Sequence, residues 1–356
     1  MFKILTILGA RPQFIKASVI SKLLKSNTYK YKAKETILHT GQHFDPNMSL
    51  NFFSELKIKM PKYNLGINKL SGGSMVGRMI EQIESIVKFE KPDWMLLYGD
   101  TNSTLAGAIA GAQAKTPIAH VEAGVRSYNK SMPEEINRVL TDQVSDKLFT
   151  PTINASKQLI KEGINKNNII NVGDIMLDIS LEYRNKVKKS KVLNHLNLKR
   201  KKYVLSTVHR ESNILSKSKL ENILFAFSKI NETVVLPAHP RTKDALIKYD
   251  ITIPQNIKLI QPLGYIDMLT MVSNSRIVVT DSGGIQKECS FFNVPCLVLR
   301  KETEWPELVD NGSSVLVGTS KAKIIDGLRL KKQKNKKINC FGDGNAGKKI
   351  LNELLN

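Results

Sequence analysis

Apolar residues fall into two alternating patterns along this chain. Short, largely apolar runs rich in Ile, Val and Leu occur at Lys3–Gly9, Glu35–Thr40, Trp94–Gly99, Pro117–His120 and Lys147–Thr150. They return at Ile169–Val172, Tyr203–Val208, Thr233–Pro237, Lys258–Gln261, Ile277–Thr280, Cys296–Leu299 and Val315–Val317. Between them, apolar positions recur with helical spacing, as in Val76–Lys88, Ala155–Glu162 and Lys219–Ile230. Strands that are apolar on both faces, each followed by a helix, predict parallel sheets covered by helices on either side. A lysine-rich stretch from about Val187 to Lys202 separates two such series and reads as a linker. The fold class is therefore α/β, with two Rossmann-like, doubly wound domains facing a cleft.

Composition narrows the function. The 356 residues are enough for two domains of ordinary size. The formal charge of +22 raises the question of nucleic acid or membrane partners. Only 11 of the 54 basic residues are arginines, and the lysines are dispersed over polar faces. Aromatic residues do not alternate with them as they would on a base-stacking surface. We therefore expect no nucleic acid partner, although a positive field would draw an anionic substrate inward. Three cysteines make no disulfide framework and read as reduced thiols. The apolar run before Arg11 is too short for a signal peptide, and no stretch approaches membrane-spanning length. A cytoplasmic protein without membrane insertion is the expectation.

Ligands of open α/β sheets bind at the carboxyl ends of the strands. Those ends carry the chemistry here. After Ile277–Thr280 comes D-S-G-G-I-Q-K-E, in which Ser282, Gly283 and Gly284 would offer backbone N–H groups and a positive helix end to a phosphate. Glu288, one turn on, would accept from a ribose diol. An ordinary cap by Asp281 or Ser282, with Glu288 exposed, fits the same letters. Gly9-Ala10-Arg11-Pro12 stands where a dinucleotide fold has G-x-G-x-x-G; an arginine in place of the second glycine argues against NAD. Arg11 and Lys16 would face the cleft as charges, or Arg11 would form a surface ion pair.

Asp100, Glu122 and one of Glu134 or Glu135 stand at neighbouring strand or helix ends. Glu134 alone reads as a helix-start acid with Arg138 four residues on as its partner. Three acids together read as proton-transfer groups, since burial and like charge push carboxyl pKa values up. His209 and His239 each close an apolar strand, where a structural or a catalytic role is equally open. No His or Cys spacing suggests a metal.

Five motifs together resemble the non-hydrolysing UDP-N-acetylglucosamine 2-epimerases: G-A-R-P-Q-F-I-K at Gly9–Lys16, G-D-T-N-S-T at Gly99–Thr104, H-V-E-A-G-V-R-S at His120–Ser127, P-E-E-I-N-R at Pro133–Arg138, and T-D-S-G-G-I-Q-K-E at Thr280–Glu288. The resemblance implies a GT-B-like homodimer without NAD, other cofactor or metal. It implies a first domain of residues 1–172 completed by a C-terminal helix at about 344–356, and a second of 173–343 that includes the lysine-rich segment 186–202. Carried onto matching positions, Asp100, Glu122, Glu134 and His209 would be catalytic. Arg11, Lys16, Arg138, His239, Ser282, Gly283, Gly284, Glu288 and Arg300 would bind the UDP-sugar substrate. Gln42 and His43 resemble part of a second, activating UDP-GlcNAc site. The implied reaction is anti elimination of UDP, through a 2-acetamidoglucal, and re-addition to the other face, giving UDP-ManNAc for surface polysaccharide.

The chain departs from the family in two places. The usual G-T-R-P-E is Gly9-Ala10-Arg11-Pro12-Gln13, and the usual H-R-R-E-N is His209-Arg210-Glu211-Ser212-Asn213, which shifts the glutamate by one position. Gln13, Gln42-His43-Phe44 and Glu302-Thr303-Glu304-Trp305 are closer to relatives acting on modified UDP-N-acetylhexosamines, either 6-deoxy or diacetamido-uronate. A GT-B glycosyltransferase or a non-catalytic nucleotide-sugar sensor would share the UDP-binding half. The first leaves the acid cluster without a role, and the second predicts that some of those acids are missing. As dispersed lysines make no recognition surface, duplex DNA should elute below physiological salt. Retention above it, with a steep salt slope, is the contrary result.

Overall fold

The computed structural model describes residues 1–42, 50–329 and 339–356, with residues 50–52 described by their backbone alone. The chain forms two compact units, Met1–Leu181 with Asn339–Asn356, and Glu182–Ile338.

The first unit holds seven strands: β1 (Phe2–Leu8), β2 (Ala33–His39), β3 (Tyr63–Asn64), β4 (Trp94–Tyr98), β5 (Ile118–Val121), β6 (Lys147–Thr150) and β7 (Ile169–Asn171). All pair in parallel, in the order β3-β2-β1-β4-β5-β6-β7. The strand order reverses between β1 and β4, so the loops after these two strands part to opposite faces and leave a crevice. Only β3 escapes the hydrophobic pattern, because two residues are too few to show a period. The helix Gly72–Glu90 outruns the Val76–Lys88 expectation at both ends and buries Met79, Ile83 and Val87, one residue per turn. These three join Leu5, Ile7, Met95 and Leu97 in a core on one sheet face.

The second unit holds β8 (Tyr203–Thr207), β9 (Thr233–Pro237), β10 (Ile257–Ile260), β11 (Ile277–Thr280), β12 (Cys296–Val298) and β13 (Ser314–Leu316). Their order is β10-β9-β8-β11-β12-β13, again parallel, with the reversal between β8 and β11. Alternate residues of one strand feed two cores: Val204, Ile277 and Val279 enter one, and Tyr203, Leu205 and Val278 the other. That is why these strands read as unbroken apolar runs rather than alternating ones. Each such side chain contributes roughly 1.5–3 kcal/mol by leaving water.

The lysine-rich stretch is not a bare linker. It contains the helices Arg184–Lys189 and Val192–His195, whose Val187 and Val192 are buried. Ser190 Oγ donates to Asp267 at 2.6 Å, and Thr270 Oγ1 donates to the Val187 carbonyl. The lysines face water while the few apolar residues among them anchor the segment, which composition alone conceals. Among the described residues no helix is long and apolar enough to cross a membrane.

The last helix, Ala346–Leu355, belongs to the first unit. Ile350, Leu351 and Leu354 are buried, and Trp94 Nε1 donates to the Leu354 carbonyl at 3.1 Å. Its first turn is capped from a distant helix: Asp178 accepts from the N–H groups of Ala346 and Gly347 at 3.1 and 2.8 Å. Burial pushes the Asp178 carboxyl up to about 6, against the opposing pull of those two N–H groups. A carboxyl whose folded pKa lies above its unfolded value binds protons more tightly in the fold, so this group's contribution falls as pH rises from about 4 to about 6. Asp178→Asn should therefore flatten stability against pH in that window, as measured by urea midpoints. An unchanged slope would show that Asp178 does not carry it.

Candidate active site

In the first unit the reversal point gathers four loops. The loop after β1 passes so close to Thr40 and Ser103 that a Cβ on Gly9 would lie 1.9 Å from Ser103 Oγ and 2.3 Å from Thr40 Oγ1, which makes glycine obligatory there. The following helix, Arg11–Leu24, opens with Arg11 half-buried and Lys16 buried. Gln13 pins this start: its Oε1 accepts from Gly9 and Ala10 N–H, and its Nε2 donates to the Tyr98 carbonyl and to Thr104 Oγ1. One neutral amide thus ties the loop after β1 to the loop after β4.

The acids face cations rather than one another. Lys16 Nζ donates to Glu122 Oε1 at 2.6 Å, with both side chains largely covered. Glu122 follows β5 with φ of 73°, a left-handed conformation that costs a non-glycine residue about 1 kcal/mol or more. Asp100 is held by Arg138, and its carbonyl accepts from Asn137 Nδ2 at 3.0 Å. Asp100 and Glu122 are thus each set against a base.

The expected Glu134–Arg138 pair is not formed. Arg138 instead donates to Glu135 at 2.7 Å, because residues 135 and 138 share the buried face of the helix Pro133–Gln143. Glu135 is saturated, accepting also from Ser127 N–H and Oγ and from Tyr128 N–H. Glu134 is half-buried, and its carboxylate makes no hydrogen bond or ion pair to a described residue. Two adjacent glutamates thus part: one is committed to structure and the other is available. Gln42 lies beside the Asp100 loop, its Oε1 accepting from Ser103 N–H and Oγ at 3.2 and 2.8 Å. His43 lies outside the described residues.

In the second unit the reversal point is organised by Asp281, which is fully buried. Its carboxylate accepts from the N–H groups of His209 and Arg210 and from Asn213 Nδ2, all within 3.2 Å. Asp281 is therefore a clamp between the loops after β8 and β11, not a helix cap. Ser282 N–H is already committed to Thr280 Oγ1 at 2.9 Å, which withdraws it from the N–H groups expected at the helix start Gly283–Phe291. The bland alternative for Glu288 fails as well, since it is 5% exposed. The His209 and His239 rings lie 6.2 Å apart at the ends of the adjacent strands β8 and β9.

Arg300 is buried and bidentate on Glu304, at 2.7 and 3.0 Å. Arg210 Nε donates to the Asp281 carbonyl, and its Nη2 lies 3.3 Å from the same Glu304. One carboxylate thus holds two guanidinium groups beside the helix start.

The family model of UDP-N-acetylglucosamine 2-epimerase matches residues 26–355. The chain belongs to the UDP-N-acetylglucosamine 2-epimerase family. A UDP-N-acetylglucosamine 2-epimerase homolog of Methanococcus maripaludis is 48% identical, with 99% of each chain covered. The UDP-2,3-diacetamido-2,3-dideoxy-D-glucuronate 2-epimerase of Pseudomonas aeruginosa is 44% identical over the same shares. The crystal structure of Methanocaldococcus jannaschii UDP-GlcNAc 2-epimerase in complex with UDP-GlcNAc and UDP matches with a TM-score of 0.93 at 39% identity, covering 99% of both chains. The two parallel sheets are thus the GT-B-like fold of an epimerase, and the glycosyltransferase and sensor readings give way.

Within this epimerase, sequence reading gave no bridging role to Gln13, Glu135, Asp281, Asn213 or Glu304. All are buried polar residues that neutralise or bridge others. A polar letter inside a buried motif was the available signal, since such groups are retained inside only when partnered. The shifted Glu211 is exposed and pairs with exposed Arg241 at 2.9 Å, a contact contributing roughly 0–1 kcal/mol. Glu304→Ala would remove the carboxylate on which buried Arg300 is bidentate. It should lower unfolding free energy by about 3–5 kcal/mol, read from urea denaturation, and a loss under 1 kcal/mol would show the pair to be dispensable.

Proposed function

We propose that this epimerase interconverts UDP-GlcNAc and UDP-ManNAc by eliminating UDP across C1–C2 and adding it back, as a cytoplasmic homodimer that needs no cofactor and supplies surface-polysaccharide precursors. The observation that carries the nucleotide part is the start of the helix Gly283–Phe291. A Cβ on Gly283 would meet only ordinary contacts at 3.4 and 3.5 Å, and one on Gly284 nothing nearer than 4.0 Å. Neither glycine is demanded by the fold. A diphosphate drawn against the backbone N–H groups at the positive helix end accounts for both. Ser282 then offers its hydroxyl, Glu288 meets the ribose diol, and His239 stands near the phosphates. Arg300 acts with Glu304 and Arg210 in shaping this seat. The M. jannaschii structure in complex with UDP-GlcNAc and UDP supports the reading.

The first unit supplies the proton chemistry. One of Asp100, Glu122 or Glu134 takes the C2 proton, and the C–H electron pair becomes the C1–C2 double bond. The C1–O bond breaks with its electrons leaving on UDP. Re-addition reverses these steps, with the proton delivered to the opposite face of C2. One fixed carboxylate cannot reach both faces, so removal and return fall to different acids. Lys16 and Arg138 hold two of these acids in place, Arg11 steadies the leaving diphosphate, and His209 assists its departure and return. Because a C2 proton is weakly acidic, stabilising the leaving group carries much of the barrier. Gln42, with His43, forms part of a second UDP-GlcNAc site that activates the enzyme.

The 44% identity to the P. aeruginosa enzyme favours a second reading, in which the same 2-epimerisation acts on a diacetamido-uronate. Incubation with each UDP-sugar in D2O, followed at C2 by NMR, decides between them. Deuterium at C2 of an intact UDP-sugar identifies the substrate, whereas free ManNAc with UDP would mean hydrolysis. Asp100→Asn, Glu122→Gln and Glu134→Gln should each lower turnover by about 10²–10⁴-fold with UDP affinity nearly unchanged. If all three turn over like the parent, the acids are structural and this assignment falls.

A further inference from the structure

Beneath the two acid-bearing turns of the first unit lies a chain of buried charges. His120, on β5, and Asp142 are fully buried, and their Nδ1 and Oδ1 atoms are 2.7 Å apart. The other ring nitrogen, Nε2, lies 2.7 Å from the Gly99 carbonyl oxygen. The second oxygen of Asp142 accepts from Gly124 N–H at 3.0 Å and pairs with Arg126 at 2.7 Å. Arg126 in turn is bidentate on Glu162, at 2.9 and 2.6 Å. Arg126 thus stands between two carboxylates.

A carbonyl oxygen only accepts, so Nε2 must carry a proton; a ring without a second proton would turn its Nδ1 lone pair on a carboxylate oxygen. His120 therefore donates from both nitrogens. Burial pushes the Asp142 carboxyl up, but the hydrogen bonds and charges of His120 and Arg126 outweigh it and hold it below the usual carboxylate range. The network grips the chain where the backbone is unusual. Gly99 has φ of 66°, Glu122 of 73° and Gly124 of 77°. At Gly124 a Cβ would lie 2.4 Å from the Ala155 carbonyl oxygen, so this turn has no room to relax.

We propose that His120 and Asp142 are positioning residues for the reaction, His120 fixing the peptide that leads into Asp100 and Asp142 fixing the turn in which Glu122 is held left-handed. The proposal rests on the reading that Asp100 and Glu122 handle the C2 proton. Neither His120 nor Asp142 touches substrate; their effect reaches the sugar only through the placement of the acids, for which an error near 1 Å lowers the rate about 10²-fold.

Two substitutions of His120 separate positioning from stability. Glutamine carries its amide nitrogen to the place of Nε2 and keeps the bond to the Gly99 carbonyl. Asparagine carries its nitrogen to the place of Nδ1 and keeps only the bond to Asp142. Each removes one half of the network, so thermal stability should fall in both. His120→Asn should lose about 10²-fold in kcat and in C2 deuterium exchange while UDP affinity, by calorimetry, stays within about twofold. His120→Gln should keep kcat at least about tenfold above His120→Asn. Equal turnover in the two variants, or UDP affinity falling in step with kcat, overturns the proposal. If His120→Asn does not fold, His120→Gln decides alone: a kcat loss of about 10²-fold despite the retained Gly99 bond overturns the proposal, and a loss within tenfold supports it. Asp100→Asn and Glu122→Gln run alongside. Parent-like turnover in those variants sinks the underlying reading, whereas loss there with a fully active His120→Asn sinks only this proposal.

Discussion

A parallel strand covered by helices on both faces shows polar groups mainly at its ends. The placing of this chain's candidate site follows from that constraint. The strands bury Ile, Val and Leu toward two cores at once, so hydrogen-bonding and charged residues are driven to the loops beyond their carboxyl ends. Where strand order reverses, between β1 and β4 and again between β8 and β11, neighbouring loops diverge and their polar groups gather instead of being covered by a crossover. The first unit places acids and their partner bases there. The second places a helix start, two histidines and a carboxylate-bridged pair of arginines.

The charges at these points are matched one against another. Lys16 answers Glu122, Arg138 answers Asp100 and Glu135, Glu304 answers Arg300, and His120 with Arg126 answers Asp142. Buried ion pairs of this kind add little net stability, because desolvation offsets most of their attraction. Their value lies in geometry, since removing one partner leaves the other uncompensated and expensive. A site that moves protons and a leaving diphosphate needs such fixed geometry more than it needs extra stability. The excess of lysine has a different cause. It lies on exposed faces, including the segment after Glu182, where Val187 and Val192 rather than the lysines hold the chain down.

The sequence by itself determined every strand but β3, their parallel pairing and the places where chemistry collects, because apolar periodicity is a local property that burial reads directly. It also located the family's motifs at the strand ends, including the glycine turn after β11. Only the tertiary structure decided which polar residue serves which purpose. Glu134 and Glu135 are neighbours with the same letter, yet one is saturated by four donors and the other makes no such contact to the described residues. Asp281 and Ser282 both read as caps, yet one clamps two loops and the other gives its N–H to Thr280. The deciding partners stand 38 residues away for Arg138 and 72 for Asp281. A hydrogen bond is settled by which strands lie side by side, and in a sheet whose order reverses, neighbours in space are not neighbours in the chain.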